Sequence, residues 1–249
     1  MGGRSICSRK KSLKDSTGPT SRFSGRSYRR AAELTVRRIG AINHKAANRR
    51  TINRRGLAVM QTLEAIHTRR SVRKFLDKAI PLDVMRKILE AAIWAPSGGN
   101  RQPWRFVVVT DKEKIKKFDP YDHQPWVENA PAVIVACADP HDTWEKYDEE
   151  DDCYVLDTAA AIQNILLAIH DMGLGAVWVL TCSKRDIRKL LDIPLHWQIV
   201  SIIPFGYCDD REPIDAAKRS RRPLSEVAFV DSVDNPIGPP PNNSLHPTV

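Results

Sequence analysis

The sequence of 249 residues lacks the short motifs that mark many nucleotide- and metal-dependent enzymes. No G-x-G-x-x-G segment follows an apolar strand, which leaves a Rossmann dinucleotide domain unsupported. The P-loop, the H-E-x-x-H pair of zinc proteases and the G-x-S-x-G elbow of serine hydrolases are absent as well. No cluster of His and Cys has metal-ligand spacing. If the chain is an enzyme, a bound organic cofactor is therefore expected to carry its reaction.

Cysteines are few, and long apolar runs are missing. The five cysteines, at positions 7, 137, 153, 182 and 208, form no C-x-x-C pair. This pattern predicts a reduced, cytoplasmic protein whose thiols are buried as small hydrophobic groups. The longest apolar run, residues 130–138, is well short of the roughly 20 residues that a membrane-spanning helix requires. We therefore predict a soluble chain, with enough hydrophobic residues (42%) for a packed core.

Acidic residues are nearly missing from the first 59 positions, where 16 Lys and Arg stand against Asp15 and Glu33, a net charge of +14. The other 190 residues carry 23 basic and 28 acidic side chains, a net charge of −5. Residues 1–59 are too polar to bury the apolar surface that ordering requires. Three interpretations stay open: sequence upstream of a start at Met60, an organellar transit peptide, or a basic arm that contacts RNA or anionic lipid.

From Met60 onward, apolar residues recur with the periods of regular structure. They predict helices at 62–67, 81–95, 112–118, 152–172 and 184–191, and buried strands at 106–109, 132–138, 176–180 and 199–205. The spacing places Ile93 and Val155 on inner helix faces. Strands interspersed with helices indicate an α/β or α+β domain over residues 60–234, and the Pro- and Asn-rich residues 235–249 are expected to be unstructured.

Two basic runs flank this domain. Arg69-Arg70-Ser71-Val72-Arg73 follows the first predicted helix, and residues 219–222 read Arg-Ser-Arg-Arg. Three guanidinium groups and a hydroxyl within five residues suit a phosphate, because the planar fork of arginine matches two phosphate oxygens at once. The alternative for both runs is a solvated surface, with the first complementing a helix dipole. The acidic run 148–152 is interpreted as the charge at a helix N-terminus rather than as a metal site.

A polar loop, A-P-S-G-G-N-R-Q-P-W at residues 95–104, joins a predicted helix to a predicted strand. Its two glycines let the backbone approach a flat ligand closely, and Ser97, Asn100 and Gln102 offer hydrogen-bonding groups. The alternative is an ordinary connecting loop in which Trp104 fills the core.

Taken together, residues 60–234 resemble the flavin-dependent nitroreductase family, with the motifs in the family's order. R-R-S-V-R follows the first helix, A-P-S-G-G-N-R-Q-P-W-R-F-V-V-V the second and G-L-G-A-V-W-V-L the long one; I-I-P-F-G-Y lies on the last strand, with R-R-P-L-S-E-V beyond it. The resemblance implies a three-layer α+β fold with a central, mainly antiparallel sheet flanked by helices. It also implies an interlocked homodimer with FMN bound at the subunit interface.

The family's pattern also assigns the site residues. Those matching the ligands of the FMN phosphate and ribityl chain are Arg69, Arg70, Ser71, Arg73 and Arg221, with Arg222 or Arg219 as a further phosphate ligand. Pro96, Ser97 and Gly98 match the loop that the partner subunit places against the flavin, and Asn100 and Gln102 support it. Trp178, Val179 and Leu180 match the segment whose backbone lies along the ring. No catalytic side chain and no metal are implied, since the flavin itself takes hydride from NADH or NADPH and reduces a nitro, quinone or enone-like acceptor.

One departure and one alternative qualify the expected activity. Residues 119–129, with Tyr121, His123 and Trp126, are shorter than the lid of the iodotyrosine-dehalogenase branch, so dehalogenation is not predicted. The alternative from another class is a flavin-storing or flavin-modifying protein with an RNA-binding arm. The aromatic segment 121–126, which could admit a substrate, favours the enzyme.

Overall fold

Four strands form the central sheet, and every neighbouring pair is antiparallel. Their order across the sheet is 104–109, 132–138, 198–206 and 175–176. They are Trp104–Val109 (β3), Ala132–Ala138 (β4), Gly175–Ala176 (β5) and Gln198–Gly206 (β6), and a separate antiparallel pair joins Thr51–Ile52 (β1) to Ala58–Val59 (β2). The computed structural model describes residues 51–52, 58–59, 62–118, 126–144, 153–208 and 220–238. The prediction of a mainly antiparallel sheet is confirmed.

The helices lie close to their predicted positions. They are Thr62–Thr68 (α1), Leu82–Ala92 (α2), Lys112–Ile115 (α3), Cys153–Asp171 (α4) and Lys184–Leu190 (α5), with single 3-10 turns at Gly98–Asn100, Pro140–Asp142 and Leu224–Glu226. Pro81 precedes α2 as its N-cap, and Gly173 follows α4 with a φ of 74°, a left-handed conformation that favours glycine. Because α2 ends at Ala92, Ile93 leaves the helical period and is exposed, contrary to the prediction.

Strand β4 separates two apolar cores, because successive side chains of a strand point to opposite faces. Ile134 and Ala136 pack with residues of α2 and α4, whereas Val135 packs on the other side with Ile115 of α3 and Ile187 of α5. All seven residues of β4 are buried, which explains why the strand is a continuous apolar run without polar alternation. The helices thus flank the sheet on both faces, as the predicted three-layer arrangement requires.

Helix α4 is the central helix of one core. Its buried positions are Cys153, Thr158, Ala161, Ile162, Ile165, Leu166 and Ile169. Val155 was expected among them but is exposed, because the first turn contributes Cys153 and Tyr154 to the core instead. By length and composition alone α4 could cross a membrane, which the sequence analysis did not anticipate. Its packing against α2 and β4 identifies it as the core helix of a folded domain.

Two segments differ from their predicted extent. Regular pairing in β5 covers only Gly175–Ala176, although Val179 forms an isolated antiparallel bridge with Ile202 of β6. At the C-terminal end, the Ile237 N–H donates to the Ala228 carbonyl oxygen at 2.8 Å. Backbone pairing therefore continues past residue 234, where the sequence predicted the folded domain to end.

Candidate functional site

The first basic motif lies beside the segment that follows α4. Ser71 and Ala176 form a parallel β-bridge, and the Val72 N–H donates to the Ala176 carbonyl oxygen at 2.9 Å. The approach is so close that a Cβ on Gly175 would lie 2.6 Å from the Val72 Cβ, so this position requires glycine. Tertiary structure therefore brings together two predicted site segments that are far apart in the sequence.

Arg73 and Ser71 are both exposed at this edge. The Arg73 guanidinium lies over the Trp126 ring, 5.4 Å from its centroid, a cation–π contact that orients the side chain. Within the described ranges, Arg73 has no carboxylate partner and the Ser71 hydroxyl has no hydrogen-bond partner. Arg69 and Arg70 are partly buried and line a small cavity with His170 and Cys208. This end of the domain therefore presents a positive charge and a hydroxyl to an incoming group.

The backbone around Trp178 forms the adjoining free edge. The N–H groups of Val177 and Val179 donate to β6, to the carbonyl oxygens of Pro204 at 3.2 Å and of Ile202 at 3.0 Å. Alternation turns the Trp178 N–H away from β6, and among the described residues it has no acceptor. The Trp178 indole Nε1 is also buried and has no hydrogen-bond partner among the described residues. Val179 is buried and Leu180 is 62% exposed.

The polar loop is fastened to α4 and to itself. The Gly98 N–H donates to the carboxylate of Asp157, with N to O distances of 3.2 and 3.3 Å. The Gln102 N–H donates to the Ser97 hydroxyl at 3.0 Å, and the Gln102 side-chain amide donates to the Asn100 carbonyl oxygen at 3.1 Å. The sequence analysis missed Asp157, for which an acidic residue within an apolar helix would have been the signal.

The two glycines of this loop accommodate a tryptophan of the same chain. A Cβ on Gly99 would lie 2.2 Å from the Trp144 Cε3, and a Cβ on Gly98 would lie 2.8 Å from the Trp144 Cβ. The close approach that the sequence analysis assigned to a flat ligand is thus made by an indole on this side of the loop. Trp144 itself was not predicted, because a single tryptophan in a short polar segment after a strand gives no pattern.

The turn that carries Trp144 is tied to the start of β3. Arg105 donates to the Trp104 carbonyl oxygen at 2.9 Å and pairs with Asp142, while the Arg101 Nε donates to the Thr143 carbonyl oxygen at 3.4 Å. At the beginning of the turn, burial raises the pKa of the Asp139 carboxyl, but the hydrogen bonds from His141 together with the charges of His196 and His141 lower that pKa overall. The alternative interpretation of Trp104 as a core residue is confirmed by its 6% exposure.

The described part of the C-terminal basic run, residues 220–222, directly precedes Pro223 and the 3-10 turn Leu224–Glu226. Arg221 and Arg222 are exposed, and Arg221 donates to the neighbouring Ser220 carbonyl oxygen at 2.9 Å. Within the part of the chain that the structure describes, no hydrogen bond or ion pair joins this run or the loop 96–102 to Ser71 or Arg73. Arg219, Tyr121, His123 and the acidic run 148–152 lie outside the described residues.

Buried thiols are not placed to act as nucleophiles. Cys137, Cys153 and Cys182 are buried and free, which confirms their predicted role as small core residues. Burial raises the pKa of Cys137 to about 12 and also raises that of Cys182, so both stay protonated at neutral pH. Across the described ranges, no group of three His, Cys, Asp or Glu side chains is arranged to hold a metal ion.

Comparison with known proteins identifies relatives of this arrangement. The chain is 40% identical over 157 residues to an Archaeoglobus fulgidus protein with the provisional name NADH dehydrogenase/NAD(P)H nitroreductase, covering 61% of this chain and 88% of the relative. It is 32% identical over 167 residues to an iodotyrosine deiodinase of Haliscomenobacter hydrossis, covering 56% of this chain and 75% of that protein.

Solved structures share the fold. A nitroreductase family protein of Clostridium difficile matches with a TM-score of 0.61 and 28% identity, over 70% of this chain and 99% of its own. A second protein of that species, an FMN-dependent nitroreductase, matches with a TM-score of 0.54 and 28% identity, over 65% of this chain and 99% of its own. The Nitroreductase family model matches residues 66–124 and 121–207, more than half of the sequence. The chain therefore belongs to the nitroreductase family and is an oxidoreductase enzyme.

Proposed function

We propose that this oxidoreductase binds FMN and uses NADH or NADPH to reduce a small organic acceptor of the nitroaromatic, quinone or enone-like class. The observation that carries the proposal is the bridge between Ser71 and Ala176, which places the arginine motif next to the free backbone edge at Trp178. A phosphate group and a planar ring joined by a short chain could occupy these two neighbouring surfaces together. The FMN-dependent relative of known structure supports the choice of flavin.

The residues present fit FMN by their chemistry. Arg73 and Ser71 are exposed donors without protein acceptors in the described ranges, as a phosphate site requires. The Trp178 N–H is a backbone donor that needs an acceptor, and a flavin ring edge supplies one. When bound, FMN supplies the redox chemistry, accepting two electrons as hydride from the nicotinamide and releasing them to the acceptor. The protein's task is then to hold the phosphate, align the ring and exclude water.

The remaining proposed FMN residues assist the phosphate site or the ring site, and some of them come from a second subunit. Arg221 and Arg222 add positive charge for the phosphate, with Arg69 and Arg70 supporting the first motif. Pro96, Ser97 and Gly98 cover the ring from the partner subunit, on a loop stabilised by Asn100 and Gln102. Val179 and Leu180 continue the backbone edge that begins at Trp178. No side-chain acid or base is assigned a catalytic role.

We propose that the protein is a homodimer, and its exposed apolar side chains support this as well as the divided site. Large apolar side chains are exposed on α1 and α4 and along the C-terminal segment; they are Leu63, Ile66, Leu156, Val227, Phe229 and Val233. Large apolar side chains that are exposed together are a common feature of protein interfaces. Burial of these faces in a second copy of the chain would bring each loop 96–98 to the site of its partner.

The FMN-binding domain is proposed to begin at residue 60, with residues 1–59 dispensable for the chemistry because their charge and composition differ so sharply from the rest. A cytoplasmic location stays a prediction. The match to deiodinases does not change the proposed acceptor class, because the short stretch 119–129 gave no sign of a dehalogenase lid. Most of that stretch lies outside the described residues.

The test compares the purified full chain with residues 60–249 alone. Both are expected to be yellow, with flavin absorbance corresponding to one FMN per chain, and to elute as dimers. Both should bleach when NADH or NADPH is added without oxygen and recover their colour when a quinone follows. Absorbance spectra and size-exclusion chromatography provide the measurements.

Each outcome has a separate meaning. A colourless protein that takes up no added FMN contradicts the cofactor. Colour that neither nicotinamide bleaches contradicts the reductase and favours the flavin-storing alternative. Flavin that is lost only from a folded 60–249 fragment contradicts the domain boundary.

A further inference from the structure

We infer that Trp144 selects planar aromatic acceptors by stacking on them and donating a hydrogen bond from its indole nitrogen. The inference rests on the proposed function and names the substrate-recognising residue of that site. Trp144 lies against Gly98 and Gly99, in the loop proposed to cover the flavin ring. It is the aromatic side chain that the described structure places directly on this loop.

The orientation of the indole leaves part of it available. The contacts with Gly99 involve Cε3 and Cζ3 of the six-membered ring, and those with Gly98 involve Cβ and Cγ. Trp144 is nevertheless 50% exposed. Its Nε1 has no hydrogen-bond partner among the described residues. One edge of the indole is therefore fixed on the loop, while about half of the side chain stays exposed.

The position of Trp144 is set by the turn that precedes it. Arg101 bonds to the Thr143 carbonyl oxygen, Arg105 pairs with Asp142, and the Asp139 carboxylate accepts the His141 N–H at 3.1 Å. On the other side, Asp157 holds the Gly98 amide. Hydrogen bonds thus hold the loop and the indole in place before an acceptor binds. Binding therefore does not have to include the entropic cost of ordering them.

The exposed groups match the chemistry of one acceptor class. An aromatic ring stacks on an indole face, and pairs of this kind contribute more than their buried area alone. Nitro and carbonyl oxygens accept hydrogen bonds, and the indole Nε1 is a donor only. A planar nitroaromatic or quinone satisfies both requirements, whereas an acceptor without a ring cannot stack on the indole.

The experiment measures Trp144→Ala and Trp144→Phe in the full-length, flavin-loaded protein. The ratio of kcat/KM for 1,4-naphthoquinone to kcat/KM for ferricyanide should fall roughly twofold to tenfold in Trp144→Ala, mainly through KM. Trp144→Phe, which keeps a ring but loses the N–H, should lie between. Gly99→Ala should resemble Trp144→Ala, since its Cβ would displace the indole. Trp94→Ala removes another exposed tryptophan and should leave the ratio unchanged.

A binding measurement keeps the result independent of turnover. The Kd of 2-naphthoate, by isothermal titration calorimetry, should rise by the same factor in Trp144→Ala, and that of cyclohexanecarboxylate, which keeps the carboxylate but cannot stack, should rise less. Flavin-loaded variants with an unchanged ratio and an unchanged naphthoate Kd would overturn the inference and leave the proposed function standing. A wild-type protein that binds no flavin would instead overturn the proposed function.

Discussion

Two regions of the molecule use arginine in opposite ways. From helix α5, Arg188 donates to three backbone carbonyl oxygens of the turn before β6, those of Ile193 at 3.4 Å, of Trp197 at 2.7 Å, and of Pro194. Beside β5, Arg73 lies on the Trp126 ring with no carboxylate partner in the described ranges. Among the described residues, Arg221 of the C-terminal run donates only to the adjacent Ser220 carbonyl oxygen.

The difference indicates what each region is for. A guanidinium that donates to several carbonyl oxygens fixes the backbone conformation, and its removal leaves those oxygens unpaired. A guanidinium held in place but short of acceptors can instead bind an anion. Arg105 lies between the two cases, because it bonds to the Trp104 carbonyl oxygen and also pairs with the half-exposed Asp142. Three sets of variants test this comparison.

The largest loss of stability is expected for Arg188→Ala. Removing the three bonds to carbonyl oxygens should lower the free energy of unfolding by about 3 kcal/mol, with FMN affinity unchanged in the folded protein. Arg188→Lys should not restore it, since an ammonium cannot reproduce the planar fork. Urea denaturation measures the effect, and Arg185→Ala, on the exposed side of the same helix, is the matched control. A loss no larger than that of the control would contradict a structural role for Arg188.

Arg73→Ala and Arg221→Ala should instead lower FMN affinity and leave stability almost unchanged. Each should weaken FMN binding by about 1.5–3 kcal/mol, tenfold or more, while the free energy of unfolding of the apo-protein changes little. The double variant should lose less than the sum, because both side chains serve one phosphate. Fluorescence titration of FMN into apo-protein is the measurement, with circular dichroism as the check on folding and Ser220→Ala as the near-neutral control. Unchanged affinity in both single variants would place the phosphate elsewhere.

The smallest effect is expected for Arg105→Ala. Its ion pair is partly exposed, with 32% of the Arg105 side chain and 47% of the Asp142 side chain accessible, so the pair itself contributes little. With the bond to Trp104 included, the free energy of unfolding should fall by about 1 kcal/mol. Thermal unfolding measures this loss in Arg105→Ala. Lys112→Ala, which removes a more exposed ion pair with Asp77, is the comparison variant. A loss as large as that of Arg188→Ala would make Arg105 a principal structural residue.

Much of the fold could be predicted because it depends on local patterns. Strand β4 was predicted at its observed bounds, since a strand buried on both faces is a continuous apolar run. The bounds of α4 were predicted to within a residue at each end from its apolar spacing. Prediction failed at element ends, as at Ile93 and Val155, where the helical period no longer decides which side chains are covered.

The sequence by itself determined the core helices and strands, the antiparallel sheet class and the family, because periodicity and motif order are properties of the chain alone. Only the tertiary structure decided which polar groups have partners. The Asp157 carboxylate meets the Gly98 amide, Trp144 fills the space beside Gly99, and Arg188 donates to three carbonyl oxygens. Arg73 lies on the Trp126 ring instead. The contacts of Asp157, Trp144 and Arg73 join residues distant in the chain, and no local pattern encodes the angle and distance at which two packed elements meet.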